Sequence, residues 1–296
     1  MATRSISKRR RRMWRDAFLL VTPFLLLYLI FFIYPTYRVV QLSLTESPLI
    51  GDGVFIGLEN YRTLFADAMF WKSLRNTFYF VVLTVIPNTF VGLMFALMVV
   101  RLNRLKSVVL AAFFLPFMLP VSVVTLIWQW LLNAQFGIMQ PLFVALTGDT
   151  LAVFTDRNWA MPSVAFITVW WTVGFNMLLF IAGLQGISKE YYEAASLDGA
   201  NGLQIFRSIT WPLLWPITAL VLTLQLIAQL KIFDQVYLLT GGGPFNSTMV
   251  ILQYMYREAF QRFDGGYSSA IAMALFVIIL VLSLLQYRFL NAGSAR

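Results

Sequence analysis

EYYEAASLDGANGLQIFRSITWP, residues 190–212, is the longest polar stretch between two strongly apolar ones in this chain. The run from Ser188 to Leu197 has the chemistry of a short helix, because serine is a good N-cap and anions are favoured in the first turns. Glu190 and Glu193 supply those anions. Gly199 can end the helix by adopting a left-handed conformation.

A second short helix is expected to follow the glycine turn. It would run from Gln204 to Ile209 and stop ahead of Pro212, because proline lacks an N–H and restricts the residue before it. Two helices joined by a glycine turn, with apolar segments on either side, make a rigid unit that can transmit force to something outside the bilayer. The stretch is therefore interpreted as a cytoplasmic docking element.

Composition identifies an integral membrane protein. Of the 296 residues, 59% are hydrophobic and 12% are charged, whereas charged residues make up about a quarter of a soluble domain. The mean hydropathy is +0.75. The chain is too apolar for a soluble protein.

Cysteine and histidine are both missing from the sequence. This excludes disulfide frameworks, Cys/His metal sites and Ser–His or Cys–His nucleophile pairs. The net charge of +9 does not indicate nucleic-acid binding, because the basic residues cluster at the ends of apolar segments. The clustered positive charges instead indicate which ends of the apolar segments lie in the cytoplasm.

Six membrane spans are predicted from the apolar runs. They cover residues 17–35, 74–100, 107–132, 160–183, 213–236 and 269–287. The arginine-rich residues 1–16 and the basic hexapeptide 101–106 belong inside. The predicted parts are a basic cytoplasmic N-terminus (1–16), a six-span domain (17–290), a cytoplasmic loop within it (188–216) and a cytoplasmic C-terminal tail (291–296).

The residue order in this loop resembles the EAA loop of importer permeases of the ATP-binding cassette (ABC) superfamily. Glu193-Ala194-Ala195 is followed after three residues by Gly199 and after nine more by Ile209, shortly before Pro212. Trp211 departs from the general pattern, which has leucine before the proline. Residues 188–216 are called the coupling loop from here on.

Two further segments narrow the resemblance. Residues 56–61 (IGLENY) are similar to the GLxNY segment that many sugar permeases carry after their first span, although an ordinary turn leading into an interfacial helix would explain them physically. Residues 233–248 (FDQVYLLTGGGPFNST) are similar to the segment that joins the last two core spans of carbohydrate permeases. Together they indicate the maltose and glycerol-phosphate class.

The resemblance implies an all-α membrane protein with six transmembrane helices and the type I ABC importer permease fold. It implies a bacterial or archaeal inner-membrane location with both termini cytoplasmic, a second homologous permease subunit, two ABC ATPase subunits, and an extracytoplasmic solute-binding protein that delivers a carbohydrate or polyol. The chain has no G-x-x-x-x-G-K-[ST] loop, so it is expected to be non-catalytic, to bind no cofactor, and to leave ATP-Mg to its partner. The residues expected to dock on the ATPase are Glu190, Glu193, Ala194, Ala195, Asp198, Gly199, Ala200, Ile209 and Pro212.

Polar groups inside a bilayer are costly and usually face a cavity or another helix. The candidates for a substrate path are Asn88, Asn176, Gln225, Gln229, Trp171 and Asp234. Amides hydrogen-bond hydroxyl groups and aromatic faces stack on sugar rings, which suits a polyol. Helix packing through amide hydrogen bonds is the alternative for each residue. Lys231 can reach Asp234 or Gln235, three or four residues on, and is expected to pair there at the outer end of the fifth span.

Two other functions remain open at this point. An ion-coupled secondary transporter would need intramembrane ionisable residues, and Lys231 and Asp234 come closest. A membrane enzyme would need a carboxylate pair, a metal cluster or an activated nucleophile, and the sequence offers none in a plausible cavity.

Overall fold

A computed structural model describes residues 2–51, 53–102, 104–150 and 152–294 of the protein, and for residues 2–12, 147 and 289–294 it describes the backbone alone. Among these residues the architecture is helical, as expected. The helices are α1 (Ala2–Tyr28), α2 (Tyr34–Leu42), α3 (Glu59–Ala66), α4 (Ala68–Val100), α5 (Lys106–Met118), α6 (Val121–Leu131), α7 (Met139–Thr147), α8 (Ala160–Gln185), α9 (Lys189–Leu197), α10 (Gly202–Ile205), α11 (Trp211–Leu230), α12 (Asp234–Thr240), α13 (Ile251–Phe260) and α14 (Gly265–Ser294). Two short strands, β1 (Thr45–Glu46) and β2 (Val54–Phe55), pair antiparallel with Thr45 opposite Phe55.

Residues 1–66 and 257–274 form one compact unit. Within it the Asn60 side chain is buried and donates to the Ser43 and Thr45 carbonyl oxygens at 3.0 and 2.8 Å, while the Tyr61 hydroxyl donates to Ser43 Oγ at 2.9 Å. Gly57, at φ +61°, forms the turn before α3. The asparagine and tyrosine of the GLxNY-like segment therefore hold the chain that leaves α2.

Residues 67–256 and 275–296 form the second unit. Its centre is α4, which packs along α8, while α8 also packs against α5 and α11. The buried core of the contact between α4, α8 and α11 contains apolar side chains such as Leu93, Met177, Phe180, Leu214 and Val221. These helices are apolar around most of their circumference, as expected for helices surrounded by lipid and other helices.

Five helical segments among the described residues are long and apolar enough to cross a membrane. They are Met13–Leu42, Ala68–Val100, Ala160–Gln185, Gly202–Leu230 and Gly265–Arg288, and a sixth candidate is the bent pair Lys106–Met118 and Val121–Leu131. The first segment buries none of its apolar window, and Leu20 and Phe31 are 82% and 75% exposed.

The predicted third span, 107–132, is wrong as one continuous helix, because α5 and α6 meet at an angle of 99°. Leu119, between them, is extended at φ −75° and ψ 140°. The residue before a proline is pushed out of the helical region, and here that proline is Pro120. Pro87, in contrast, lies inside α4 without ending it.

The predicted stop before Pro212 is also wrong. The chain is helical from Gly202 to Leu230, with a wide turn over Phe206–Thr210 in which the Trp211 N–H bonds to the Phe206 carbonyl, five residues back. A proline ring normally clashes with the carbonyl four residues before it, and the wider π turn relieves that conflict. The same arrangement, Leu29–Ile33, precedes Pro35 in the first segment.

The predicted fifth span, 213–236, is too long at its far end. It stops at Leu230, where Lys231 leaves the helical geometry, and Phe233 follows at φ −146°. This break also separates Lys231 from Asp234: both are exposed, and in the described part of the chain neither forms an ion pair. The expected pairing between them is wrong.

Candidate functional site

The first helix of the coupling loop has the ends that its sequence predicts. The Ser188 side chain accepts from the Glu190 N–H at 3.3 Å and caps α9. At the other end the Gly199 N–H bonds to the Ser196 carbonyl at 3.2 Å and the Ala200 N–H to the Ala195 carbonyl at 2.9 Å, with Gly199 at φ +77°. These two bonds are a Schellman motif, which satisfies carbonyls that the end of a helix leaves unpaired.

The second helix of the loop begins with a feature that the sequence reasoning missed. Asn201 and Gln204 form a capping box: Asn201 Oδ1 accepts from the Gln204 N–H at 3.0 Å, and Gln204 Oε1 accepts from the Asn201 N–H at 2.7 Å. The Asn-x-x-Gln spacing was the available signal. The two helices are thus joined by a short turn in which the backbone groups are bonded, and the second helix continues into α11.

The residues predicted to dock on an ATPase lie on this helix–turn–helix unit, and most of their side chains are exposed. Glu190, Glu193, Ala194, Asp198, Gly199 and Pro212 are exposed, whereas Ala195, Ala200 and Ile209 are half-buried. Two large apolar side chains outside the predicted set are exposed on the same unit, Leu197 at 89% and Leu203 at 65%.

Four of the predicted substrate-path residues meet inside the second unit. Asn88 of α4, Asn176 of α8, and Gln225 and Gln229 of α11 are each at most 5% exposed. Gln225 is the centre of the group: its Nε2 donates to Asn176 Oδ1 at 2.9 Å, and its Oε1 accepts from Gln229 Nε2 at 3.1 Å and from Asn88 Nδ2 at 3.2 Å. We call this group the amide cluster.

Thr172 is a member of the cluster that the sequence reasoning missed. Its Oγ1 accepts from Asn88 Nδ2 at 2.6 Å. Thr172 lies four residues before Asn176, on the same face of α8, which was the available signal. Two buried polar atoms of the cluster, Asn88 Oδ1 and Asn176 Nδ2, have no hydrogen-bond partner among the described residues.

The other two predicted substrate-path residues lie apart from the cluster. Trp171 packs against the apolar core that contains Phe80 and Val236. Asp234 is exposed in the first turn of α12. The structure therefore brings together the amides and not the whole predicted set.

Replacing Gln225 by leucine is expected to destabilise the protein more than replacing Gln229. The first change removes three side-chain hydrogen bonds and the second removes one, at about 0.6–2 kcal/mol per bond inside a membrane. Both side chains are buried on the same face of α11, so Gln229→Leu is a matched control. Thermal unfolding in detergent measures the difference, and equal losses would contradict the central position of Gln225.

Comparison with known proteins adds independent evidence. Residues 88–292 match the family model described as binding-protein-dependent transport system inner membrane component. The probable ABC transporter permease protein YurN of Bacillus subtilis is 34% identical over 273 residues, which cover 90% of this chain and 94% of YurN. The sulfoquinovosyl glycerol transport system permease protein SmoG of Agrobacterium fabrum is 32% identical over 277 residues, covering 93% and 90%.

A solved structure shares the fold. It is a chain of the bacterial alginate ABC transporter, crystallised in complex with alginate pentasaccharide-bound periplasmic protein. The TM-score is 0.87 over 97% of both chains, with 22% sequence identity. At that identity the likeness concerns the fold alone.

Proposed function

Because the chain belongs to the family of binding-protein-dependent transport system inner membrane components, we propose that it forms the path for a carbohydrate or related polyol and is moved by ATPases docked on its coupling loop. The chain is a multi-pass membrane protein and a non-catalytic permease subunit of an ABC importer. Family membership sets aside an ion-coupled secondary transporter and a membrane enzyme.

The observation that carries the docking proposal is the construction of the coupling loop. Its two helices are capped at both sides of the turn, and the second is continuous with α11. A displacement of the loop is therefore passed to a helix that reaches the amide cluster. An ATPase moves the permease only if the loop binds its two nucleotide states with different affinity.

The proposed complex contains a second homologous permease subunit, two ATPase subunits and an extracytoplasmic solute-binding protein. ATP-Mg would bind to the ATPases, and this chain would hold no cofactor. Exposed Leu197 and Leu203 support a protein partner at the coupling loop.

We propose that both termini and the coupling loop face the cytoplasm of a bacterial or archaeal cell. The basic residues 1–16 and 101–106 support this orientation through the positive-inside rule. The opposite orientation would place both groups of cations outside.

The amide cluster supports a solute rich in hydroxyl groups. A hydroxyl is both a donor and an acceptor, and the cluster offers one of each, Asn176 Nδ2 and Asn88 Oδ1, without a partner in the described residues. These atoms are buried, so α4, α8 and α11 must separate before a solute can reach them. Alternating access supplies that separation.

An aromatic group just beyond the end of α11 also suits a sugar. Phe233 and Tyr237 are stacked with centroids 5.2 Å apart, and Tyr256 lies 5.3 and 5.5 Å from them. The pKa of Tyr256 is raised from its ordinary value. The main causes are the charge interaction and the hydrogen bond with the neighbouring Tyr237 phenol, and partial burial adds to them. Aromatic faces and hydroxyls together are typical of carbohydrate contacts.

The solute class is tested with the purified complex in lipid nanodiscs. ATP hydrolysis is measured while the solute-binding protein is supplied with neutral oligosaccharides, a sulfonated glycoside or a phosphorylated polyol. We expect one carbohydrate or polyol to stimulate hydrolysis several-fold, and only with the binding protein present. Uptake by the chain alone in a proton or sodium gradient, without ATP, would contradict the proposal.

A further inference from the structure

The first helix of the coupling loop has few attachments to the rest of the second unit. Residues Lys189–Leu197 (α9) include no buried residue. Tyr192 and Ala195, three residues apart, are its only half-buried side chains among the described residues. Beside Tyr192 lies a cavity of about 820 Å³, which is also lined by Leu97, Leu184, Phe206 and others. This helix therefore has space in which to tilt.

One side-chain hydrogen bond joins α9 to another helical element in the described part of the chain. It lies between the Tyr192 hydroxyl and Thr210 Oγ1, 3.3 Å apart. Thr210 is 5% exposed and is the last residue of the π turn that leads into α11. The bond closes the loop onto the start of the membrane-spanning helix.

Thr210 also begins the buried face of α11. The buried residues that follow it at intervals of three or four are Leu214, Thr218, Val221, Gln225 and Gln229. Such spacing places them on one face of a helix. The hydrogen bond from Tyr192 thus reaches the same face that ends in the amide cluster.

We propose that Tyr192 is a positioning residue that sets the angle between the ATPase-docking helix and α11, so that movement of the docked ATPase turns or shifts α11 at the amide cluster. This inference rests on the proposed function and assigns the transmitting contact within it. Without the hydroxyl, α9 remains attached through its two chain ends, and part of its displacement is lost as tilt into the cavity. The net free-energy contribution of one hydrogen bond shifts a two-state equilibrium by about threefold to tenfold.

The chain provides a matched control at the adjacent position. Tyr191→Phe makes the same chemical change on a side chain that is 56% exposed. Tyr192→Phe keeps the aromatic ring that packs beside the cavity and removes only the hydroxyl. Thr210→Val removes the other partner, and Thr210→Ser retains it.

The test uses the complete transporter in nanodiscs, with spin labels on Phe90→Cys of α4 and Leu224→Cys of α11. Both positions are exposed, at 62% and 41%, and the chain has no native cysteine. Pulsed electron paramagnetic resonance measures the label distance before and after ATP and vanadate are added. Co-purified ATPase, ATP hydrolysis and thermal unfolding are measured on the same samples.

We expect Tyr192→Phe and Thr210→Val to retain the ATPases and their hydrolysis, while the fraction of molecules that reaches the ATP-vanadate distance falls threefold to tenfold. The double variant should be no worse than either single one, because both remove the same bond. Thr210→Ser should respond like the parent, and Tyr191→Phe should keep the parent's distance response in every sample that retains the ATPases.

Two results would overturn the inference. The first is an unchanged distance response in Tyr192→Phe, which together with a loss of thermal stability would show a purely structural role. The second is additive effects of the two single changes. If the parent transporter itself neither binds the ATPase nor responds to ATP, the proposed function fails.

Discussion

Replacing Gly174 by alanine is expected to push α8 away from α5 and to lower the stability of the protein, although the change adds only one methyl group. A Cβ at this position would lie well inside contact distance of the Phe113 carbonyl oxygen, 2.6 Å from the Phe113 carbonyl carbon and 3.0 Å from Phe114 Cα. These are backbone atoms, so no side-chain rotation can relieve the clash, and the helices must move apart by about 1 Å or more. Overpacking of this kind costs about 1–3 kcal/mol.

The matched control is the same substitution at Gly202. A Cβ there meets nothing within 4 Å, and alanine is favoured over glycine in a helix by about 1 kcal/mol. The yield of monodisperse protein and its unfolding temperature in detergent should fall for Gly174→Ala and stay the same or rise for Gly202→Ala. A Gly174→Ala protein as heat-stable as the parent would contradict the close packing of α5 on α8.

Replacing Gly199 by aspartate is expected to leave the protein inserted in the membrane and to reduce uptake by more than about tenfold. The position has φ +77°, a conformation that is strained for any residue with a side chain, but an added Cβ meets nothing within 4 Å, so the fold has room for the aspartate. The new carboxylate lies next to Asp198 at the C-terminal end of α9, where the helix dipole disfavours anions. On the proposed ATPase-docking surface, an unpaired buried charge would cost several kcal/mol.

The chain offers a control with a nearly identical φ. Gly148, at φ +78°, also has nothing within 4 Å of an added Cβ, and it lies in the loop that follows α7, which is predicted to be extracytoplasmic. Gly148→Asp therefore repeats the substitution away from the ATPase. ATPase co-purification and solute uptake should fall for Gly199→Asp and not for Gly148→Asp. Undiminished uptake by Gly199→Asp would count against ATPase docking at this turn.

The coupling loop was largely predictable because local chemistry determines it. Ser188 caps the first helix, Gly199 ends it and Asn201 with Gln204 starts the second, each through hydrogen bonds within a few residues. Short-range signals of this kind can be read from a sequence without knowledge of the tertiary structure.

The breaks in the spans were harder to predict, because proline has more than one structural outcome. Pro120 separates two helices at 99°, Pro87 lies inside a continuous one, and Pro212 follows a π turn. The choice among these outcomes depends on what neighbouring helices contact. The positions of the three prolines in the sequence do not show which helices pack beside them.

The amides could be identified from the sequence, but the way they are joined could not. Gln225 and Gln229 are four residues apart on one helix, so their common face was predictable. Asn88 and Asn176 approach that face from two other helices, and their meeting depends on helix packing. The separation of Lys231 from Asp234 has the same origin, since it follows from the end of α11 at Leu230.

The π turn over Phe206–Thr210 absorbs one residue in the helix that leads from the coupling loop into α11. Each residue of a regular helix advances the chain by about 100° around the axis, and a π turn contains one residue more than a regular helical turn. Deleting a single residue from 206–210 would therefore turn the wide turn into a regular one and leave the proposed docking surface close to its present orientation, with the ring of Pro212 set against the carbonyl four residues before it. Deleting a residue between Pro212 and Gln225 would instead rotate that surface by about a quarter of a circle relative to Gln225.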